Sequence, residues 1–288
     1  MPNRLFLYGP GYSAGRLGRR LLGEGWQVGA TARSDEQAAG LRSDGFDVVR
    51  ADQTGAFDPR DPAYAEATHL LTSAPPGEAG DPCLLAVGGD LSGAPGLAWV
   101  GYLSTTGVYG NWDGGEVDET FELKPSSRRA ERRVLAERTW RDLEPPAHVF
   151  RLAGIYGPGR SAIDQIAAGT AKRTIKPGHR FSRIHVDDIV EVLLASIARP
   201  NPGAVYNVCD DMPAESAHVL EHAAELMGRP PPPATPFVEA ELSPMAQTFW
   251  RDDKTVSNRR IKEELGVKLR YPTYREGLAA ILAGYSAG

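Results

Sequence analysis

A doubly wound α/β fold with a largely parallel sheet is predicted by three features of this chain. Short apolar runs alternate with amphipathic segments through its first half. Most of those runs are apolar on both faces, as strands covered by helices on either side must be. A glycine-rich turn also follows the first run directly and opens into a helical pattern.

Taken in order, the strands expected are Arg4–Tyr8, where Leu5, Phe6 and Leu7 are consecutive, then Gln27–Thr31 and Phe46–Val49. His69–Ser73, Leu97–Leu103 and Ala147–Ala153 follow. After Ala153 the pattern loosens into segments punctuated by Gly and Pro. One strand, Gly203–Val208, and helices near Ala217–Met227 and Asp253–Leu265 stand out there. The organisation expected is a nucleotide-binding domain over residues 1–155 and a smaller lobe over 156–288, interleaved with late elements of the first and without a clean linker. The run "RPPPPATP" (Arg229–Pro236) reads as a short stiff connector.

The 288 residues, 41% hydrophobic and 24% charged, suit one large domain or two coupled lobes with a well-developed core. A net charge of −5 leaves no basic footprint for a phosphate backbone, so nucleic acid is not an expected partner. Cys83 and Cys209 are the only cysteines, and neither has a second ligand at metal spacing. A disulfide framework and a zinc site are therefore not expected, and a reducing cytoplasm suits the chain. The apolar run of "MPNRLFLYGPGY" is too short for a signal core, and no stretch approaches the ~18 residues of a membrane span. A soluble, cytoplasmic protein acting on a small molecule is the expectation.

"YGPGYSAGRLGRRLL" carries Gly9-x-Gly11-x-x-Ala14 between a strand and a helix, the GxGxxA form of a dinucleotide fingerprint. Gly9 permits the tight turn, Gly11 lets backbone approach a pyrophosphate, and Ala14 or Gly15 allows close helix-sheet packing. The helix start at Tyr12, Ser13 and Ala14 supplies amide donors. The fold expected is thus Rossmann-type. After the second strand, where an acid would bond a ribose hydroxyl, stand Arg33 and Ser34. A guanidinium there clamps a 2′-phosphate that a carboxylate repels, which favours NADP(H); Asp35 keeps NAD(H) open. Asp52 after the third strand, and Ser73, Ala74 and Pro75 after the fourth, complete the cofactor candidates on these loops.

Four further stretches follow in order: "LSTTGVYG" (Leu103–Gly110), "FRLAGIYGPGR" (Phe150–Arg160), "RIHVDDIV" (Arg183–Val190) and "VYNVCDD" (Val205–Asp211). With these and the closing "SNRRIKEELGVKLRYPTYREGL" (Ser257–Leu278), nearly the whole chain resembles an atypical branch of the extended short-chain dehydrogenase/reductases, the NAD(P)-dependent epimerase/dehydratase family. The resemblance implies that a Ser or Thr after the fifth strand bonds the substrate oxygen, that a Tyr transfers the proton, and that a Lys four residues on holds the nicotinamide ribose. Thr105 falls at the hydroxyl position, with Ser104 and Thr106 adjacent. The Tyr and Lys positions fall on Arg129 and Arg133, or on Arg128 and Arg132 with a shift of one.

An arginine guanidinium neither gives nor takes a proton at neutral pH. Arg133 can still hold the ribose or an oxyanion, while the alternative for the cluster is a solvated face paired with Glu131 and Glu137. Substitute proton donors are Tyr109, Tyr156 and His185, of which His185 has the pKa range for the task. Asp187 and Asp188 suit a helix cap. Phe181 stands where sugar-nucleotide epimerases of the family grip a diphosphate with arginine, flanked by Arg180 and Arg183. Trp112 and Trp250 are candidates to line an apolar cleft. The helix used by relatives for dimerisation would pair with a Gly- and Pro-rich segment, so monomer and homodimer both stay open. Two functions result: an NADP(H)-dependent oxidoreductase or epimerase-like enzyme on a small polar or sugar-like substrate, or a non-catalytic NADP(H)-binding sensor.

Overall fold

The computed structural model of the chain describes residues 3–285. β1 (Arg4–Tyr8) turns into α1 (Tyr12–Gly23), followed by β2 (Gln27–Ala32), α2 (Asp35–Ser43) and β3 (Asp47–Arg50). Next come α3 (Pro62–Ala65), β4 (His69–Thr72), α4 (Pro82–Ala86) and β5 (Trp99–Thr105). β6 (Glu116–Val117), α5 (Arg128–Arg141), β7 (His148–Leu152), β8 (Gly154–Tyr156) and α6 (Ala162–Ala167) continue the chain. β9 (Arg173–Ile175), β10 (Arg183–His185), α7 (Val186–Ala198), β11 (Val205–Val208) and α8 (Ser216–Leu226) lead to the last segments. These are β12 (Ala234–Pro236), α9 (Pro244–Arg251), β13 (Thr255–Val256), α10 (Arg259–Glu263) and α11 (Tyr274–Tyr285).

Seven strands form one parallel sheet in the order β11-β7-β5-β4-β1-β2-β3, a Rossmann-type arrangement. β1 lies between β2 and β4, with Phe6 opposite Gly29 on one side and Leu70 on the other. The chain winds outward through β2 and β3, then returns past β1 to lay down β4. The winding direction therefore reverses between β1 and β4, where such sheets bind ligands beyond the carboxyl ends of their strands.

Three elements differ from the sequence expectation, the first being β12, which forms inside the stretch read as a connector because Ala234–Pro236 pair with Arg173–Ile175. β5 runs two residues further than Leu103 and so includes Thr105. Helix over Asp253–Leu265 is confined to α10, because Thr255 and Val256 pair with Glu116 and Val117. That pairing joins residues far apart in sequence and overrides the local helical pattern.

The chain forms two compact, discontinuous units. The first comprises residues 1–105, 128–151 and 193–206, the second residues 106–127, 152–192 and 207–288. One crossing between the units lies between Arg151 and Leu152. The first unit is held by a core that includes Phe6, Phe57, Tyr64, Tyr102 and Trp140, with Phe6 and Phe57 ring centroids 5.4 Å apart. In the second, Tyr156, Ile163, Ala223, Tyr274 and Leu278 form a separate cluster. No helix among the described residues is long and apolar enough to cross a membrane.

α5 has a charged sequence, RRAERRVLAERTWR, and buries only Ala130, Val134, Ala136, Glu137 and Trp140. Its apolar face is too sparse to fix its rotation unaided, and a buried carboxylate supplies the missing constraint. Glu137 accepts a 2.7 Å hydrogen bond from Arg151 Nη2 on β7 and one of 2.5 Å from Ser104 Oγ on β5. The side chains of Arg151 and Glu137 are 5% and 4% exposed, so the pair is desolvated. Removing one partner of such a pair strands the other charge, and Glu137→Ala is expected to cost about 3–5 kcal/mol of stability by denaturant unfolding. Glu137→Gln, which keeps an acceptor, is expected to cost less.

Candidate functional site

The turn after β1 is built around two glycines with different tasks. Gly9 has φ +72°, and a Cβ placed on it would lie 3.1 Å from the Ala74 Cβ. Its N–H donates to Thr31 Oγ1 at 2.9 Å, and its carbonyl accepts from the Ser73 hydroxyl. β1, β2 and the loop after β4 are thereby closed around Gly9. Gly11 has φ −82°, which any residue adopts, and a Cβ there would meet only the Gly9 carbonyl oxygen at 4.0 Å. Nothing in the protein requires glycine at 11, so the space above it is room for a ligand.

No side chain caps the start of α1, and the Ser13 hydroxyl beside it is buried without a hydrogen-bond partner. Open backbone at Gly11, helix-start amides and an orphaned hydroxyl together fit the pyrophosphate of a dinucleotide. Tyr12 is half-buried and Ala14 fully buried. Gly15 has only Arg19 and the Pro10 carbonyl near its missing side chain, whereas a Cβ on Gly18 would fall 2.5 Å from Phe46 and 2.9 Å from Leu7.

At the end of β2, Arg33 is exposed and its backbone N–H donates to Gln37 Oε1. Ser34 caps α2 through Gln37 N–H at 3.1 Å. Asp35 lies 3.3 Å from Arg50. Asp52 accepts from the Thr54 N–H and hydroxyl and from the Ala56 N–H, closing its own loop. The Thr54 hydroxyl and these amides hold its carboxyl below the usual range. Ala74 is half-buried and Pro75 exposed on the loop that Ser73 ties to Gly9.

β5 ends at half-buried Thr105. Ser104 is buried and committed to Glu137, and strand alternation turns Thr105 to the opposite side. One helical turn before Glu137, Arg133 donates from Nη1 to Tyr102 Oη at 2.9 Å and to the Leu103 carbonyl at 2.8 Å. Its guanidinium also lies 5.5 Å from the Tyr102 ring centroid. A fixed cation thus sits at the end of the strand that carries Thr105. Arg129, a further turn back, is exposed, and Arg132 pairs with Glu78 at 2.7 Å. The anchoring roles of Tyr102 and Arg151 had no local signal, since both read as strand residues.

In the second unit Tyr109 is 0% exposed and donates to Asn207 Oδ1 at 2.7 Å. His185 is 1% exposed, packs 4.2 Å from the Tyr271 ring centroid and 5.2 Å from that of Tyr156, and accepts the Asp187 N–H. Tyr156 is also buried, its hydroxyl 3.4 Å from the Thr273 carbonyl. None of the three presents its polar atom to solvent. Asp188 is buried, accepts from the backbone of Arg270 and Tyr271, and is pushed up to about 6 by burial. It holds that loop. Trp112 stacks edge-on to Phe121 and donates to the Tyr109 carbonyl. Among the described residues no group of three or more His, Cys, Asp or Glu could hold a metal ion.

A conserved protein of unknown function from Silicibacter pomeroyi is 48% identical over 98% of this chain and 99% of its own, with a TM-score of 0.88. A Methylobacillus flagellatus protein provisionally named an NAD-dependent epimerase/dehydratase is 24% identical over 99% and 100%, with a TM-score of 0.74. A dTDP-glucose 4,6-dehydratase from Bacillus anthracis, solved with NAD, is 15% identical over 100% and 97%, with a TM-score of 0.72. The chain belongs to the family of the Silicibacter protein, and its fold is that of the epimerase/dehydratases, the extended short-chain dehydrogenase/reductases. No protein-family model and no curated protein matches it.

The glycine geometry of this fold yields a paired test. Gly11→Ala is expected to leave stability within about 1 kcal/mol of wild type yet weaken NADPH and NADH binding at least tenfold, since its φ suits alanine and its Cβ enters the ligand space. Gly9→Ala, strained and crowded, is expected to cost about 1–3 kcal/mol in thermal or denaturant unfolding. Equal effects of the two changes on stability and binding would contradict these separate roles.

Proposed function

We propose that this chain is an NADP(H)-dependent oxidoreductase or epimerase-like enzyme acting on a small polar or sugar-like substrate. The observation that carries the reading is the combination at Gly11 and Ser13: backbone open to a ligand beside an uncapped helix start and a buried, unpartnered hydroxyl. Several proteins of the same fold are named as complexes with NAD, which supports a nicotinamide dinucleotide here. Bound in this cradle, the nicotinamide supplies or accepts a hydride.

The residues of the chain divide the remaining work. Gly11 and the amides of Tyr12, Ser13 and Ala14 hold the pyrophosphate, and Ser73 and Ala74 close the turn behind it. Exposed Arg33 and Ser34 take the 2′-phosphate, with Asp35 engaged by Arg50. Arg133 takes the nicotinamide ribose through guanidinium N–H groups other than the pair of bonds it gives to Tyr102 and Leu103. Thr105 bonds the substrate oxygen. In this reading Arg129 and Arg133 stand at the positions that the fold family gives to its Tyr and Lys. Neither transfers a proton, so the chain holds and polarises a carbonyl oxygen through Thr105 and Arg133 and takes its proton from solvent.

Burial of Tyr109 and His185 favours a second reading, a non-catalytic sensor whose NADP(H) occupancy sets a conformation. Hydride exchange between bound NADPH and a panel of carbonyl compounds separates the two, since a sensor shows none. For the enzyme, Thr105→Val is expected to lower turnover ~10²-fold while leaving NADPH binding intact, as for a donor used in the transition state. Arg33→Ala is expected to cost at least tenfold in NADPH affinity, since charge-assisted bonds contribute ~1.5–3 kcal/mol each, and to spare NADH. Equal binding of NADPH and NADH by the wild type would sink the cofactor assignment.

A further inference from the structure

β9 and β12 run parallel, with Ile175 opposite Pro236, so the residues that leave the two strands, Lys176 and Phe237, emerge side by side. α9 brings Trp250 against them, its ring centroid 5.5 Å from that of Phe237. Trp250 is held from behind by His179, stacked at 5.4 Å, and by the edge of Phe181 at 5.0 Å. Lys176 Nζ donates to the Trp250 carbonyl at 2.7 Å and lies 4.8 Å over the Phe237 ring. In front of this wall is an open depression of about 540 Å³, lined also by Leu242, Gln247 and Arg251. That volume is in the range of small-molecule sites.

The charges at this pocket are unequal in what they have to spare. Arg251 donates to the Ser126 carbonyl and lies 3.6 Å from Asp252. Lys176 gives one N–H to Trp250 and keeps two. Of the arginines beside Phe181, Arg180 is exposed. Arg183 turns inward, donating to the Ala214 carbonyl and lying 5.6 Å from the Tyr274 ring centroid. A diphosphate, with two or more charges, would meet a wall of rings and one ammonium that already gives an N–H to a carbonyl. A planar ring with one anionic group matches both features.

We propose that this pocket binds an aromatic acid, its ring against Trp250 and Phe237 and its single carboxylate on Lys176. Ring contact supplies dispersion and apolar burial, and the ammonium supplies the charge-assisted bond. The pocket is built entirely from the second unit, and the proposal stands beside the enzymatic reading above without depending on it.

Naphthalene-2-carboxylate, 2-naphthamide and UDP-glucose are titrated calorimetrically into the full chain, with NADPH titrated in parallel. The carboxylate is expected to bind one per chain and about tenfold or more tighter than the uncharged amide, as a charge-assisted bond requires. Lys176→Met is expected to remove that difference while leaving amide binding in place, and Trp250→Ala to abolish both. Should Trp250→Ala fail to fold, the Lys176→Met comparison decides alone. Tighter binding of UDP-glucose than of the carboxylate, equal binding of carboxylate and amide, or no binding of either overturns the aromatic-acid site. NADPH binding separates the two readings: if it persists while the carboxylate fails, only the site is wrong, and if it fails, the enzymatic reading falls.

Discussion

A buried carboxylate, Glu137, fixes where α5 sits, and the placement of every candidate residue on that helix depends on it. Desolvating an ion pair is expensive, and the cost is offset here by two bonded partners of fixed geometry, the Arg151 fork and the Ser104 hydroxyl. Because β5 and β7 each provide one contact, α5 cannot rotate or slide without breaking one of them. Residues at four-residue spacing then share a face. Glu137 is buried, Arg133 is half-buried over the end of β5, and Arg129 is exposed. One helix stripe thus passes from a buried anchor through a half-buried cation to solvent.

The dinucleotide cradle obeys a different constraint. Gly9 answers to the protein, since its φ and the nearby Ala74 forbid a side chain, whereas Gly11 answers to space that the protein leaves open. Two residues of one motif are therefore separable by their physics. Gly18 adds a third requirement, the contact of α1 with Phe46 and Leu7, and it lies outside the six-residue fingerprint.

The sheet and the glycine turn were legible in the sequence because they are local: consecutive apolar runs specify buried parallel strands, and Gly9 and Gly11 sit in a strand-turn-helix context. What escaped was set by partners distant in sequence. Thr255 and Val256 are extended because Glu116 and Val117 pair with them. The role of Gly18 depends on Phe46, which arrives after β2 and α2. Whether Tyr109 and His185 faced solvent could not be read from their residue types; Asn207, Tyr156 and Tyr271 decided it. The commitment of Arg183 to the interior of the second unit was equally silent, since an arginine in a polar stretch carries no mark of direction.

A structure of the chain crystallised with NADP⁺ tests the central claim most directly. The pyrophosphate is expected beside Gly11 on the amides of Tyr12, Ser13 and Ala14 with the Ser13 hydroxyl engaged, the 2′-phosphate on Arg33, and the nicotinamide ribose within hydrogen-bond distance of Arg133. A dinucleotide bound elsewhere, or one bound in the cradle while Arg133 contacts only Tyr102 and Leu103, would contradict it.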